Sequence, residues 1–270
     1  MFISITAVLS YLSFRFIETP LQKVSKSSKQ MRKVVISCGI FAVAICAFSF
    51  NIYLHAGVVR DVPELNVDKN NVHKNMHSEY VDRPYEWGDT FTDEDNIKIL
   101  VMGTSYGRDW SNVLYEYDSD LEIRYFYYSD QILLDNVKSV ETADFVFYAS
   151  GPEFRDIPNL VKENVPSDKL YVAGNKLYGY SNGIIYSHRF EADYFDQTIA
   201  LPRSLVKQNN AMSEIYGNHY VDLIMPIEER EGYVHVFTDD NKYISQDCEH
   251  LTQSGAKYYA RILDLDFLRK

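Results

Sequence analysis

Short apolar runs alternate with helix-like stretches along the chain from Asn96 to its C-terminus. The runs are rich in β-branched and aromatic residues and predict buried strands at 97–103, 121–128, 144–150, 169–174 and 219–225. Helices are predicted at SYGRDWSNVLYEY after the first run, from Pro152 to Val165, near 199–217, and from Thr252 to Leu263. This alternation predicts an α/β domain over 97–270, with a mainly parallel sheet and ligands at the carboxyl ends of its strands.

A longer apolar segment precedes this domain. Residues 34–55, VVISCGIFAVAICAFSFNIYLH, contain no acid, Lys or Arg and reach the length needed to cross a membrane. The preceding LQKVSKSSKQMRKV carries five positive charges and no negative one, so the positive-inside rule places the 19–33 loop in the cytoplasm. A buried helix of a soluble core is the alternative for 34–55.

Residues 1–18 open with a second apolar stretch, which is short for a complete span. We interpret it as the end of another transmembrane helix, so that one or two such helices precede the α/β domain. A secretory signal peptide is the competing interpretation, but the basic residues follow the apolar stretch and no small-x-small cleavage site comes after it. The truncated-helix interpretation places the acidic C-terminal domain outside the cytoplasm.

Residues 56–96 differ from both neighbours because their charged and polar residues follow no period. They predict a linker. His73 and His77, with His55 nearby, could suggest a metal site, but they lack a fixed ligand spacing, so a solvated spacer is the preferred interpretation and no metal is expected.

Charge and cysteine content narrow the class of protein. The net charge is −11 although the first 58 residues are basic, so the remainder is strongly acidic and a nucleic-acid partner is excluded. The chain has three cysteines, of which Cys38 and Cys46 lie in the apolar segment. This number rules out a disulfide framework and a cysteine-rich metal site.

A candidate nucleophile lies where the first strand should end. Ser105 follows Gly103-Thr104, and a serine at the start of a helix has free N–H groups and a positive dipole beside it that would stabilise an oxyanion. A simple N-cap role for Ser105 is the alternative.

A second candidate group precedes the last helix, in the sequence DCEHLT. On a turn, Asp247 can accept a hydrogen bond from one ring nitrogen of His250, so that the other nitrogen can accept a proton from a serine. A solvated acidic turn is the alternative for this hexapeptide.

Taken together, the two groups resemble the layout of the SGNH/GDSL hydrolase superfamily, with Gly255-Ala256 matching its usual continuation. The resemblance implies a three-layer α/β sandwich, Ser105 as nucleophile, and Asp247 and His250 as acid and base. Thr104 stands where the family has Asp, and the family's later Gly and Asn oxyanion donors have no clear counterpart. The N–H groups of Ser105 and Gly151 are the expected oxyanion donors, and no cofactor is expected in this domain.

The N-terminal phrase SYLSFRFIETPLQK resembles the end of the last core helix of the membrane acyltransferase-3 family. In fused members of that family, an extra helix and a linker lead to an extracytoplasmic SGNH domain. The resemblance implies a bacterial cytoplasmic-membrane protein that receives an acyl group from an acyltransferase-3 partner using acetyl-CoA or a similar donor. The chain is then expected to be a C-terminal piece or a separate subunit of such an enzyme.

These observations predict a membrane-anchored O-acyltransferase that moves an acyl group, expected to be acetyl, onto a hydroxyl of an envelope polysaccharide through an acyl-serine. Two alternatives remain open. The domain could be an SGNH carbohydrate esterase, or a non-catalytic remnant that lost the acyltransferase core.

Overall fold

A computed structural model describes residues 2–19, 28–88, 90–92, 95–151, 156–179 and 181–269. The chain divides into two compact units. One contains Met1–Arg60 and Lys69–Lys74, and the other contains Asp61–Asp68 and Asn75–Lys270.

The N-terminal unit is helical. Helix α1 (Phe2–Ser13) continues into a π-helical turn at Phe14–Glu18, and α2 spans Ser28–Leu54. Within the described segments, Met31–Leu54 is the helix with the length and apolar composition to cross a membrane, and it has no buried residue in its most apolar part. A buried soluble-core helix is therefore excluded here, whereas a membrane anchor or a signal segment fits. Most of the predicted basic loop, residues 20–27, lies outside the described part of the chain.

The second unit contains eight strands and eight α-helices among its described residues. The strands are β1 (Lys98–Gly103), β2 (Glu122–Tyr127), β3 (Phe145–Ala149), β4 (Leu170–Ala173), β5 (Thr198–Ala200), β6 (Tyr220–Val221), β7 (Glu228–Arg230) and β8 (Tyr233–His235). The helices are α3 (Met76–Asp82), α4 (Ser105–Tyr117), α5 (Asp130–Asp135), α6 (Val137–Thr142), α7 (Asn159–Asn164), α8 (Asn182–Ser187), α9 (Arg203–Tyr216) and α10 (Gln253–Ile262). Short 3₁₀ turns lie at Pro63–Leu65, Arg83–Glu86, Tyr194–Asp196, Gly217–His219, Met225–Ile227 and Asp266–Arg269.

The central sheet has five parallel strands in the order β2-β1-β3-β4-β6. Alternate side chains of β1 enter two separate cores. Ile99 and Val101 pack with residues of α4 and α10, and Leu100 and Met102 pack with residues of α5, α6 and α7. Because both faces of the sheet are covered, its strands are continuous apolar runs. The predicted α/β fold with a mainly parallel sheet is confirmed.

The structure departs from the predicted elements where prolines and short strands occur. The stretch predicted as a helix near 199–217 begins instead with strand β5, and α9 starts only after Pro202. Strand β5 joins β8 and β7 in a small antiparallel sheet that the sequence did not predict. The helix predicted from Pro152 begins at Asn159, since Pro158 occupies its N-cap, and residues 152–155 lie outside the description.

Part of the predicted linker is folded and belongs to the second unit. Val67 and Val81 are buried, and Arg83 donates to Asn112 of α4 with an Nε–Oδ1 distance of 2.6 Å. The interpretation of 56–96 as a solvated spacer is therefore wrong for these residues. The apolar positions were too widely separated in sequence to give a periodic signal.

The strand order determines where a site can form. The chain moves from β1 to β2 on one side and then crosses to β3 on the other side of β1. Loops leaving β1 and β3 therefore run in opposite directions from the carboxyl ends of these strands, which is the usual place for a ligand in such a sheet. Ser105 follows β1, and Gly151 follows β3.

Candidate active site

The turn after β1 is held close to β3. A Cβ atom added to Gly103 would lie 1.6 Å from the carbonyl oxygen of Ala149, so the approach of the two strands requires glycine. Thr104, whose N–H donates to the same carbonyl at 3.1 Å, is the N-cap of α4 and accepts from the N–H of Tyr106. The structure therefore assigns the cap to Thr104 and leaves the hydroxyl of Ser105 available for another partner.

That partner is His250. The Oγ of Ser105 and the Nε2 of His250 are 2.7 Å apart, although the two residues are 145 positions apart in sequence. The Nδ1 of the same ring lies 2.6 Å from Oδ2 of Asp247. The three residues predicted separately from two motifs thus form one continuous hydrogen-bond chain, the arrangement in which a carboxylate orients an imidazole toward a serine.

The carboxylate of Asp247 is also bound by backbone. Its Oδ1 accepts from the N–H groups of His250 at 2.7 Å and Glu249 at 3.0 Å. Partial burial raises the pKa of Asp247, but the hydrogen bonds from the His250 ring and from these two N–H groups lower it more strongly, so that the pKa lies well below its ordinary value. Asp247 is therefore ionised and can stabilise a protonated His250.

The turn that carries these residues has an unusual backbone. Cys248 has a φ of +76°, a conformation that costs energy for a residue with a side chain. Its carbonyl accepts from the N–H of Tyr178 at 2.8 Å, and the hydroxyl of Ser245 donates to the carbonyl of His250 at 2.6 Å. Cys248 is buried, and its place in the turn between Asp247 and His250 does not favour it as the nucleophile.

Several residues of the site were not predicted from sequence. Asp109 of α4 and Lys176 after β4 are almost fully buried and form an ion pair of 2.7 Å beside the Asp247–Leu251 turn. The ring centroid of Tyr106 lies 4.1 Å from Nζ of Lys176 and 6.2 Å from the ring centroid of His250. Only Asp109 carried a sequence signal, since it lies one helical turn after Ser105.

The α3 helix also borders the site. Burial lowers the pKa of His77, with the Asp247 carboxylate opposing this change and the Arg108 guanidinium adding to it. Arg108 donates to Asp82 of the same helix at 3.0 Å. His77, interpreted from sequence as part of a spacer, therefore lies within the electrostatic range of the candidate triad.

The oxyanion site remains a prediction. Ser105 is the first residue of α4, so its N–H has no acceptor within the helix and the positive end of the helix dipole lies beside it. Gly151 lies next to Tyr106, since an added Cβ would be 3.6 Å from that ring. With its amide nitrogen turned toward this loop, Asn175 donates to the carbonyls of Ser150 at 3.1 Å and Gly151 at 3.0 Å. Asn175 therefore fixes the loop that would supply the second donor.

The part of the chain that the structure describes has no group of three or more His, Cys, Asp or Glu residues arranged to hold a metal ion. The candidate triad is partly open to solvent. The side chains of His250 and Asp247 are 24% and 55% exposed. Solvent can therefore reach the His250 ring and the Asp247 carboxylate.

A scan against protein-family models and a search of curated proteins each gave no match. Among solved structures, the periplasmic domain of a lipopolysaccharide acetyltransferase from Salmonella ser. Paratyphi A aligns with 63% of this chain and 83% of that domain, at 13% identity and a TM-score of 0.47. A candidate acylhydrolase from Bacteroides fragilis aligns over 68% of this chain and 92% of its own, at 13% identity and a TM-score of 0.38. Both TM-scores are below 0.5, so the function of this chain is inferred from its own residues.

Proposed function

We propose that the α/β unit is an SGNH-type serine acyltransferase with Ser105 as nucleophile, His250 as general base and Asp247 as the carboxylate that orients it. The observation that carries this proposal is the hydrogen-bond chain from Ser105 Oγ through the two nitrogens of His250 to Asp247 Oδ2. A serine needed only as a helix cap would not require a histidine from a turn 145 residues away. Here Thr104 already supplies the cap.

The geometry supports acylation of Ser105 as the first half of the reaction. With a proton on Nδ1 shared with Asp247, the Nε2 of His250 accepts the Ser105 proton as Oγ attacks the acyl carbonyl. The negative charge on the carbonyl oxygen would be stabilised by the Ser105 N–H and the predicted Gly151 N–H. The bond to the leaving group then breaks, and His250 donates its proton to that group.

The second half reverses the proton movements. His250 deprotonates a hydroxyl of the acceptor, whose oxygen attacks the acyl carbonyl carbon and breaks its bond to Ser105 Oγ. The proton on His250 returns to Ser105. The same two nitrogens and the same serine thus serve both halves, as a ping-pong reaction requires.

We also propose where the reaction takes place, which group accepts the acyl group and which group supplies it. We place the α/β unit outside a bacterial cytoplasmic membrane, anchored by Met31–Leu54, whose apolar side chains are exposed along its length. The acceptor is a hydroxyl of an envelope polysaccharide. An acyltransferase-3 membrane domain, whose last helix residues 1–18 resemble, would supply an acetyl group from acetyl-CoA or a similar donor.

Solvent exposure supports a second candidate function, an esterase. Asp247 is 55% exposed at its side chain and His250 24%, so water can approach the position that an acceptor hydroxyl would take. Water would then capture the acyl group from Ser105 in place of a sugar hydroxyl.

Product analysis separates these functions. The full chain in detergent is incubated with p-nitrophenyl acetate and a set of methyl hexosides, and acetate and acetylated sugar are measured against a Ser105→Ala control. The transferase proposal expects acetylated sugar to form while acetate release falls as acceptor is added. Acetate release that is unaffected by acceptor would favour the esterase, and products equal to those of Ser105→Ala would favour a non-catalytic remnant.

A further inference from the structure

A buried ion pair joins the nucleophile helix to the turn that carries His250. Asp109 lies four residues after Ser105 on α4, and Lys176 lies in the loop after β4. The Nζ of Lys176 is 2.7 Å from Oδ2 of Asp109, and the two side chains are 2% and 1% exposed. A pair of charges this deeply buried needs further polar partners, because desolvation of both ions is costly.

Those partners are backbone groups on either side of His250. Oδ2 of Asp109 accepts from the N–H of Leu251 at 2.9 Å, and Nζ of Lys176 donates to the carbonyl of Glu249. His250 is thus held through the residue before it and the residue after it. Both of these hydrogen bonds are made by one ion pair. Asp109 of that pair lies on α4, the helix that begins with Ser105.

The ammonium group of Lys176 makes a third contact, with an aromatic ring. Nζ of Lys176 lies 4.1 Å from the ring centroid of Tyr106, the residue next to the nucleophile. The hydroxyl of Tyr106 reaches the carbonyl of Lys176 at 3.4 Å. The cation therefore contacts Asp109, Tyr106 and Glu249 at once, so that a shift of the turn relative to α4 would break contacts on both sides.

We infer that Asp109 and Lys176 are positioning residues that set the distance between Ser105 and His250. Neither touches the reacting atoms. This inference rests on the proposed function, because it concerns the nucleophile and base of the same reaction. The hydrogen bonds that Asp247 accepts fix the shape of the Asp247–Leu251 turn. The ion pair fixes the position of that turn relative to α4.

Because the two sets of bonds act on different nitrogens of His250, NMR signals of the His250 ring can distinguish them. Loss of the ion pair should weaken the hydrogen bond between Ser105 Oγ and His250 Nε2 while the bond between Nδ1 and Asp247 persists. The ¹⁵N resonance of His250 Nε2 should then move toward its value in Ser105→Ala, where that bond is absent. The deshielded Nδ1 proton should remain. A role in stability alone predicts no change in either signal for the folded protein.

The test uses the full chain in detergent with the double variant Asp109→Leu/Lys176→Met. Replacing both charges with apolar groups of similar volume avoids leaving one buried charge unpaired. Asp109→Asn is the second variant, since it removes the negative charge of the pair while keeping the size and shape of the side chain. The control is Glu122→Leu/Arg124→Met, which removes a well-buried ion pair at the start of β2, at the opposite end of the sheet.

We expect both site variants to react with a fluorophosphonate probe more slowly than the wild type when the folded fraction is matched by circular dichroism. For the double variant the decrease should be about 10- to 100-fold, the order expected when a catalytic group is misplaced by about 1 Å. The Nε2 resonance should shift as described, and the control should match the wild type in both measurements.

Wild-type rates and an unchanged Nε2 resonance in folded Asp109→Asn and in the double variant would overturn the inference. If only one of the two variants folds, the same result in that variant suffices. A wild type that fails to react with the probe, but whose Nε2 resonance still depends on the ion pair, would overturn the proposed reaction and leave the positioning role intact.

Discussion

The two oxygens of Asp247 perform different tasks. Oδ2 accepts from the ring of His250, whereas Oδ1 accepts from two backbone N–H groups of the same turn. One side chain therefore both shapes the turn and fixes the tautomer of His250. Because both oxygens accept hydrogen bonds, the Asp247 carboxylate is held in one orientation although its side chain is 55% exposed.

The lowered pKa of Asp247 has a consequence for stability. Because the folded protein lowers this pKa below that of the unfolded chain, Asp247 stabilises the fold fully above about pH 4 and loses this contribution as the pH falls through the lower folded pKa. Asp247→Asn should therefore flatten the dependence of the unfolding free energy on pH below about pH 4. Urea denaturation at a series of acidic pH values measures this.

Asp120→Asn, at an exposed carboxylate outside the site, is the matched control and should keep the wild-type dependence. An acid dependence of Asp247→Asn equal to that of the wild type would show that the hydrogen bonds to Asp247 are not formed in solution.

The residues of the site differ in how far sequence could reveal them. Ser105, Asp247 and His250 could be identified as candidates because their order and their places at element ends are visible in the chain. Lys176 and its pairing with Asp109 could not, since the two residues are 67 positions apart and charged side chains usually lie at the surface. Their burial is a property of the folded α/β unit alone.

At the scale of elements, helix α10 determines where the His250 turn ends. Thr252 caps this helix by accepting from the N–H of Gly255 at 2.9 Å and donates to the carbonyl of Tyr243 at 2.6 Å. The first turn of α10 therefore lies directly against the preceding chain. A Cβ added to Gly255 would be 2.1 Å from the carbonyl oxygen of Ile244, so this contact requires glycine.

Gly255→Ala should therefore destabilise the α/β unit by about 1–3 kcal/mol, because the backbone must move to admit one methyl group. Chemical denaturation gives the change in unfolding free energy. Gly183→Ala is the control, since its Cβ would be exposed on α8 and would meet only the Ser181 hydroxyl at 3.3 Å. Equal stabilities of the two variants would contradict the close contact between Gly255 and Ile244.

The elements themselves were predictable to different degrees. The strands β1 to β4 could be predicted within a residue or two because both of their faces are buried, which produces continuous apolar runs. The strands β5, β7 and β8 could not, since each has three residues and none forms such a run. The pairing of β5 with β8 also joins segments far apart in sequence, whereas β7 and β8 pair across a turn of two residues.

At the scale of the whole molecule, the chain combines an apolar helix with an acidic α/β unit. The helix Met31–Leu54 could be recognised from composition, because it is apolar on all sides. The packing of Val67 and Val81 could not, because these residues lie in a segment without period. The domain boundaries and the acyltransferase-3 partner remain predictions from the sequence.

The central claim is that Ser105 is a nucleophile activated by His250. It is tested most directly by treating the full chain with a fluorophosphonate and locating the adduct by peptide mass spectrometry. We predict one adduct on Ser105, its absence in Ser105→Ala, and a labelling rate in His250→Ala that is lower by several orders of magnitude, about 10⁴-fold or more. No adduct on the folded wild type, or an adduct on another residue that persists in Ser105→Ala, would contradict the claim.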